Sequence, residues 1–383
     1  MKKIIHFIVL TLICSILASE TTYAEDKIKI GLIVPLSGEN KEIGESILNS
    51  VRLAINKIDN NKIQIVPKDT KSNPEQTLKV SKELYQNGIK IILGPVFNKN
   101  LAYLDELNEV FFISFTNKIL NNPNNVIAAG INAVSQIKAI SKFQELSNLE
   151  RSIFLIPNSN FKNEIEEAIS STKIKLKDTF IYDTDPTLLT AQIEKLTRYH
   201  QRKQRLKDEI ERIKNSEKTN KEKIITNLEK KDTLGGINFD SVIIADFDES
   251  LKSVTTSLLY TDVSSKRIHY ICMNQWFDKS LLKEKSLQPI YFPSVNKNNY
   301  EEYLNEYLKI FNKYPNQISF LSYDLVGLVY FLLFQNDFVI DEKIFYKKNR
   351  FKGKIGIFEI NKNKISHLLN FYSVENDKFK KIF

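Results

Sequence analysis

The chain has 383 residues, 55 Lys and Arg against 46 Asp and Glu, a formal charge of +9, and two cysteines. That length suits two domains of ordinary size, and Cys272 has no partner for an internal disulfide once the segment holding Cys14 is removed. The basic residues are spread along the chain and mixed with acidic ones, which argues against a nucleic-acid partner and for an ordinary solvated surface.

Residues 1–24 read "MKKIIHFIVLTLICSILASETTYA". Lys2 and Lys3 open the segment, Ile4 to Ala18 is mostly apolar, and Thr22-Tyr23-Ala24 supplies small residues for a cut after Ala24. This is the pattern of a secretory signal peptide. The apolar run is short of the ~20 residues of a membrane span. A lipoprotein cut before Cys14 is disfavoured by bulky Ile13, where a small residue is expected. The expectation is an exported, periplasmic protein with no transmembrane anchor after signal removal.

Lys27 to Val34 is the first predicted strand, ending in the turn-forming tip Pro35-Leu36-Ser37-Gly38. Ile47, Leu48, Val51, Ala54, Ile55 and Ile58 then recur at helical spacing. Strands are predicted at Ile63 to Pro67, Ile89 to Leu93 and Val110 to Ser114, with helices at Pro74 to Gln86 and Leu101 to Asn108. Gly88 suits the stop of the first of these helices. Short apolar strands between amphipathic helices imply a parallel sheet covered on both faces.

A second unit repeats the grammar. Helices are predicted at Ala133 to Ser147, Lys162 to Ser171 and Ser250 to Leu259. Strands are predicted at Ser152 to Pro157, Thr179 to Tyr182, Ser241 to Ala245 and Arg267 to Met273. The handover between units falls near Val126 to Val134. Within the second unit, residues 198–236 are highly charged, with Leu206, Ile210 and Ile213 on one stripe and Ile224, Ile225 and Leu228 on another. The pattern predicts a charged helical hairpin with a turn at Asn215 to Asn220. It reads either as a solvated excursion or as a docking arm.

Ligands of open parallel sheets bind beyond the carboxyl ends of the strands, where backbone amides and helix N-termini are free to donate. Three such ends converge: Pro35 to Gly38, Gly94 to Asn98, and Ser114 to Asn117. Catalytic patterns are missing from the sequence. His200, His269 and His367 form no short-spaced metal pair. Ser37 does not sit in a Gly-x-Ser-x-Gly elbow, and no Gly-x-Gly-x-x-Gly follows the first strand. Cys272 reads as a buried strand residue, inert by burial. The sequence calls for no cofactor, no metal and no enzyme activity.

Seven stretches carry a resemblance. "IGLIVPLSG", "PKDTKSNPEQTLKVSKELYQNGIKIILGPV", "FFISFTN", "RSIFLIPNSNF", "FDSVIIADFD", "IHYICMNQWFD" and "SYDLVGL" resemble, in order and spacing, the periplasmic leucine-binding protein family, the type I solute-binding fold. The resemblance covers nearly all of the chain after the signal. It implies an α/β protein of two lobes joined by three crossovers. Lobe one would hold residues 26–128 plus 293–338, and lobe two residues 130–292 plus a tail from 351 to 383, with the insert at 198–236.

The resemblance also implies a site for a small amino-acid-like ligand between the lobes. Asn98, Ser114 and Thr116, with the backbone at Phe97 and Phe115, would meet a carboxylate, and Ser37 at the tip after the first strand would join the ligand wall. Phe161 stands where the family usually has a covering Tyr. Asn274, Gln275 and Trp276 stand where an acidic residue normally meets the ammonium, leaving Asp246 or Asp248 as substitutes. The charged insert ending in "DTLGGINFDSVII" and the Trp in "MNQWFD" look like the penicillin-binding-protein activator subgroup. Two roles follow as expectations: a receptor delivering its ligand to an inner-membrane importer, or an interaction module acting on a cell-wall synthase.

Overall fold

The computed structural model describes residues 27–383 except 59–61, 342 and 362–363. The signal-peptide reading of residues 1–24 lies outside the described residues.

The first part of the chain alternates strand and helix. It runs β1 (Ile28–Val34), α1 (Lys41–Ile58), β2 (Ile63–Asp69), α2 (Pro74–Gln86), β3 (Ile91–Leu93), β4 (Phe111–Ser114) and β5 (Val126–Ala128). These five strands pair in parallel. From Ile30 to Val34 every residue of β1 is buried, as in β3, β4 and β5, which is the expected state of strands covered on both faces. α2 shows why the local sequence folds as it does. Asn73 accepts from the Gln76 amide at 2.7 Å, and Pro74 opens the helix where no amide donor is needed.

The second part runs α3 (Ala133–Leu146), β6 (Ser152–Pro157), α4 (Lys162–Ser170), β7 (Asp178–Tyr182), α5 (Pro186–Leu196), α6 (Tyr199–Lys214) and α7 (Lys221–Glu229). It continues with β8 (Ser241–Ile244), α8 (Asp248–Tyr260), β9 (His269–Cys272) and β10 (Ile290–Ser294). These strands form a second parallel array, β7-β6-β8-β9-β10. α6 and α7 are the charged hairpin, closed on itself by buried Leu206, Ile213 and Leu228.

The chain then returns to the first sheet through α9 (Lys297–Phe311), α10 (Ser319–Gln335) and α11 (Lys343–Tyr346). α10 is apolar around most of its circumference and lies in the core beside α1, where the Ser50 hydroxyl donates to the Ser319 carbonyl at 2.6 Å. No helix among the described residues is long and apolar enough to cross a membrane.

The C-terminal segment corrects one expectation. The tail from Phe351 was expected in the second lobe, but it is divided. β11 (Asn349–Lys352), β12 (Ile357–Asn361) and β13 (Lys364–Leu368) form an antiparallel meander that joins the first sheet beside β5. Only β14 (Asn370–Glu375) and β15 (Lys378–Lys381) extend the second sheet, next to β10. The anchor is Asp324 of α10, whose buried carboxylate accepts the Lys354 and Ile355 amides at 2.7 Å each. Gly353 is needed there, because a Cβ would lie 2.1 Å from the Asp324 carboxylate. β10, with Pro293 and Ser294, also belongs to the second sheet, so the return to lobe one falls after Ser294 rather than at Pro293.

A second correction concerns the helix expected over Leu101 to Asn108. Two short 3-10 turns stand there, Asn98–Leu101 and Leu104–Glu106. The Asn125 side-chain amide donates to the carbonyls of Leu104, Leu107 and Val110, which satisfies them without a helix. Tyr103 sits at φ 72° between the turns and breaks any helical run.

The result is two lobes, each a mostly parallel sheet flanked by helices, with eight and seven strands. The backbone passes between them three times: after β5, after β10 and after β13.

Candidate functional site: the cleft between the lobes

The parallel strands of both sheets end facing a common cleft of about 790 Å³. Lobe one contributes the loops after β3 and β4 and the start of α10; lobe two contributes the loops after β6, β8 and β9. The crossover after β5 lies directly against the loop after β4. Gly130 donates to the Thr116 carbonyl at 2.9 Å, and a Cβ at Gly130 would lie 2.6 Å from that oxygen. One wall of the cleft is thus built on the crossover itself.

Ten of the twelve residues singled out from sequence line this cleft: Phe97, Asn98, Phe115, Thr116, Phe161, Asp246, Asp248, Asn274, Gln275 and Trp276. Ser37 and Ser114 are not brought to it. The Ser37 hydroxyl donates to Asp69 at 2.6 Å, beside the Leu36 amide on the same carboxylate, and so closes the turn after β1. Ser114 is fully buried, donates to the Pro95 carbonyl at 2.8 Å and accepts from the Thr116 amide at 3.2 Å. Both hydroxyls are consumed by loop architecture.

Much of the lining is already committed to internal partners. Asn98 donates to Asn122 at 3.2 Å, and the Thr116 hydroxyl accepts from the Lys118 amide at 3.2 Å. The Asn274 side-chain oxygen accepts from the Trp276 amide at 2.9 Å and the Ser294 hydroxyl at 2.8 Å. Gln275 donates to the carbonyls of Met273 and Asp246. Trp276 and Phe277 both lie in the left-handed region, at φ 48° and 59°. That turn sends Trp276 to the cleft and Phe277 into an aromatic cluster with Phe292, Tyr372 and Phe379.

Asp246 is 8% exposed. It accepts the Tyr182 hydroxyl at 2.7 Å and the Phe247 amide at 3.0 Å. Burial holds its pKa above the usual carboxylate range against these two hydrogen bonds. Tyr182 is pushed upward by burial first and then by the Asp246 charge. The pair therefore behaves as a fixed polar strut behind the wall.

Sequence reasoning missed three charged residues of the cleft, Asp278 and the facing pair Lys118 and Glu164. Glu164, in the first turn of α4, accepts the backbone amides of Ile119 and Leu120 from lobe one at 3.2 and 2.9 Å. The Lys118 ammonium lies 4.8 Å from the centre of the Phe161 ring and 3.5 Å from the Asn160 carbonyl, both in lobe two. No local motif marks either residue, because their contacts exist only where the two lobes meet. The exposed Asp248 also lines the cleft at the start of α8. Among the described residues no group of three or more His, Cys, Asp or Glu is placed to hold a metal. Cys272 is fully buried, and burial pushes its thiol far up, so its nucleophilic form is suppressed.

Residues 27–172 match the model of a family described as periplasmic binding protein. No curated protein sequence matches the chain. Among solved structures, the branched-chain amino acid transporter substrate-binding protein LivJ of Streptococcus pneumoniae, in complex with isoleucine, is 17% identical with a TM-score of 0.56. The match covers 93% of this chain and 98% of that one. A solute-binding protein of an ABC transporter from Rhodopseudomonas palustris, in complex with 3,4-dihydroxybenzoic acid, is 17% identical with a TM-score of 0.56, covering 91% and 93%. The C-domain of LpoA from Haemophilus influenzae, a regulator of PBP1A, is 13% identical with a TM-score of 0.59, covering 93% and 100%. The chain is thus a two-lobe protein of the periplasmic binding-protein fold, matched by the family model over residues 27–172 and by fold over nearly all of its length.

Proposed function

We propose that the chain is a non-catalytic receptor that captures a small solute between its lobes, outside the cytoplasmic membrane, and passes it to an inner-membrane importer. The observation that supports this reading is the cleft of about 790 Å³, within the range of about 300–1,000 Å³ typical of small-molecule sites. Its walls are loops at the carboxyl ends of parallel strands from both lobes, where such folds place ligands. The signal-like residues 1–24 fit export to the periplasm. The fold hosts ligands as different as isoleucine and dihydroxybenzoic acid in its neighbours, so the ligand must be read from the wall.

A second reading has its own support. The α6–α7 arm is a folded, charged projection outside the cleft, and the likeness to the LpoA C-domain runs over the whole of that domain. An interaction module that regulates a cell-wall synthase would use such an arm.

A thermal-shift screen of the chain from Glu25 onward, against amino acids, organic acids, small peptides and wall fragments, separates the two. A ligand held at 100 times its Kd stabilises the folded form by about 2.7 kcal/mol, which reads as a rise of a few degrees. Asn98→Ala combined with Thr116→Ala should abolish that rise while leaving the unliganded midpoint nearly unchanged. Silence across the screen, with capture of a wall synthase that depends on the arm, would replace the receptor by the regulator.

A further inference from the structure

A second, smaller hollow lies outside the cleft, at the root of the α6–α7 arm. It measures about 40 Å³ and is lined by the end of α5, the first turns of α6 and the loop before β8. Arg198, Gln201, Arg202 and Arg205 come from the start of α6. No Asp or Glu is among the described lining residues. The volume is a few times the roughly 10–15 Å³ that one water takes, which suits a single small oxyanion.

The three arginines are in different conditions. Arg202 is buried and spent on Thr197, Thr233 and Thr261, with Asp262 just beyond Thr233. The guanidiniums of Arg198 and Arg205 are exposed and make no hydrogen bond or ion pair among the described residues. The acids of the arm and of α5 are engaged elsewhere: Glu209 pairs with Arg212 at 2.7 Å, and Glu194 contacts His200 at 3.2 Å. Residues 198–236 hold 12 Lys and Arg against 7 Asp and Glu, five of the nine excess positive charges of the chain, so the potential around the arm favours anions.

The facing loop adds neutral donors. Gly235 has φ 102°, and a Cβ there would lie 3.3 Å from Arg205 Nη1, so bare backbone lies against the guanidinium. The backbone amides of Gly236, Ile237 and Asn238 have no acceptor among the described residues. Lys177 donates to the Asn238 carbonyl at 2.8 Å and brings a further cation to this loop. Forked guanidiniums and free successive amides are the groups that hold phosphate oxygens. A carboxylate fills one fork, whereas a phosphate has oxygens for two.

We propose that this hollow binds a phosphate group, with Arg198 and Arg205 as its two forks. A bound phosphate ties the base of α6 to the loop before β8, and the site does not depend on what the cleft holds. The test titrates the chain from Glu25 onward with inorganic phosphate at fixed pH and ionic strength, with acetate as the control anion. Phosphate at ten times its Kd should raise the thermal midpoint by about 2 °C and broaden its own ³¹P line; acetate should do less than half as much to the midpoint. Arg198→Gln combined with Arg205→Gln should remove both responses and leave the phosphate-free midpoint in place, and the matching pair of Lys substitutions should restore part of them. Lys218→Gln combined with Lys221→Gln removes the same charge at the far turn of the arm and should keep both responses. Equal losses in the two Gln pairs, an equal rise with acetate, or no response to phosphate overturns the proposal. Vesicles of phosphatidylcholine with and without phosphatidic acid identify the source. Sedimentation that needs both the acid lipid and the arginine pair assigns the phosphate to a lipid headgroup, and a response to inorganic phosphate alone assigns it to a soluble ligand; either upholds the site.

Discussion

His367 shows how a single buried side chain can report on the hinge. It lies in β13, next to the last crossover, and is 3% exposed. One ring nitrogen, Nε2, lies 2.8 Å from the Ala129 carbonyl of the first crossover. A carbonyl only accepts, so that nitrogen carries the proton. Nδ1 is buried without a partner, and charging the ring would leave a second N–H stranded. Burial accordingly lowers the pKa to about 4, against favourable contacts with the Ala129 and Gly130 backbone. The folded value lies below the unfolded one, so the unfolded chain binds the proton first as pH falls. The stability that neutral His367 contributes is fully present above about pH 6.5 and is lost as pH falls to about 4. At 1.36 kcal/mol per unit, the loss is roughly 3 kcal/mol. Urea unfolding of the native chain and of His367→Gln, at intervals from pH 7 to pH 4, should show a steeper decline in the native chain by about that amount. Parallel curves would mean that the ring does not couple protonation to folding. The motif-free position of this histidine explains why the sequence marked it only as one of three unpaired ones. What isolates it is a crossover 238 residues away.

The α6–α7 arm was legible because its apolar stripes recur at helical spacing in a charged background, and those stripes do pack on each other. Its attachment was not legible. Arg202 looks like one more arm charge, yet it is 2% exposed. Its guanidinium donates to the Thr197 carbonyl and the Thr233 hydroxyl at 3.0 Å each, and also to the Thr261 carbonyl. Thr233 in turn donates to Asp262 at 2.6 Å. One side chain thus fastens α6 to the end of α5, the loop after α7 and the end of α8. Arg202→Met would strip three acceptors of a charged donor, and bonds of this kind contribute about 1.5–3 kcal/mol each. It should lower the stability of the chain by about 3 kcal/mol or more in denaturant unfolding. Replacing Lys207 to Lys230 with a Gly-Ser turn keeps the clamp and should keep a cooperative transition near the native midpoint. A neutral Arg202→Met, or loss of cooperativity in the shortened chain, would reverse the picture of a detachable arm on a buried clamp. The same distinction accounts for the C-terminal strands. In β13 burial alternates, with Ile365 and His367 inside and Lys364 and Leu368 outside. That half-buried pattern names a strand but not the sheet it joins; Asp324 and the β5 edge decide that from far away in sequence.

At the scale of the whole molecule, the two lobes already touch at the mouth of the cleft. Glu164 in lobe two holds the amides of Ile119 and Leu120 in lobe one, and Lys118 reaches back over Phe161. Strand-end chemistry placed Phe97, Asn98, Phe115 and Thr116 on the wall from sequence alone, but this latch depends on how the lobes close. Opening about the three crossovers must break two charge-assisted hydrogen bonds, which favour the closed arrangement by a few kcal/mol before any ligand is present. A ligand that binds the closed form benefits from that bias, since apparent affinity scales with the fraction already closed. Glu164→Ala removes both bonds and should shift the unliganded chain toward the open form. Small-angle scattering should then give a larger radius of gyration without ligand and the native radius at saturation, with affinity weakened about tenfold. Glu164→Gln keeps one accepting oxygen and should fall between. An unchanged radius in Glu164→Ala would show that the lobes are held by packing at the crossovers rather than by the latch. An affinity unchanged alongside a larger radius would show that ligand binding does not require the closed form, and the cleft would then act as two independent faces.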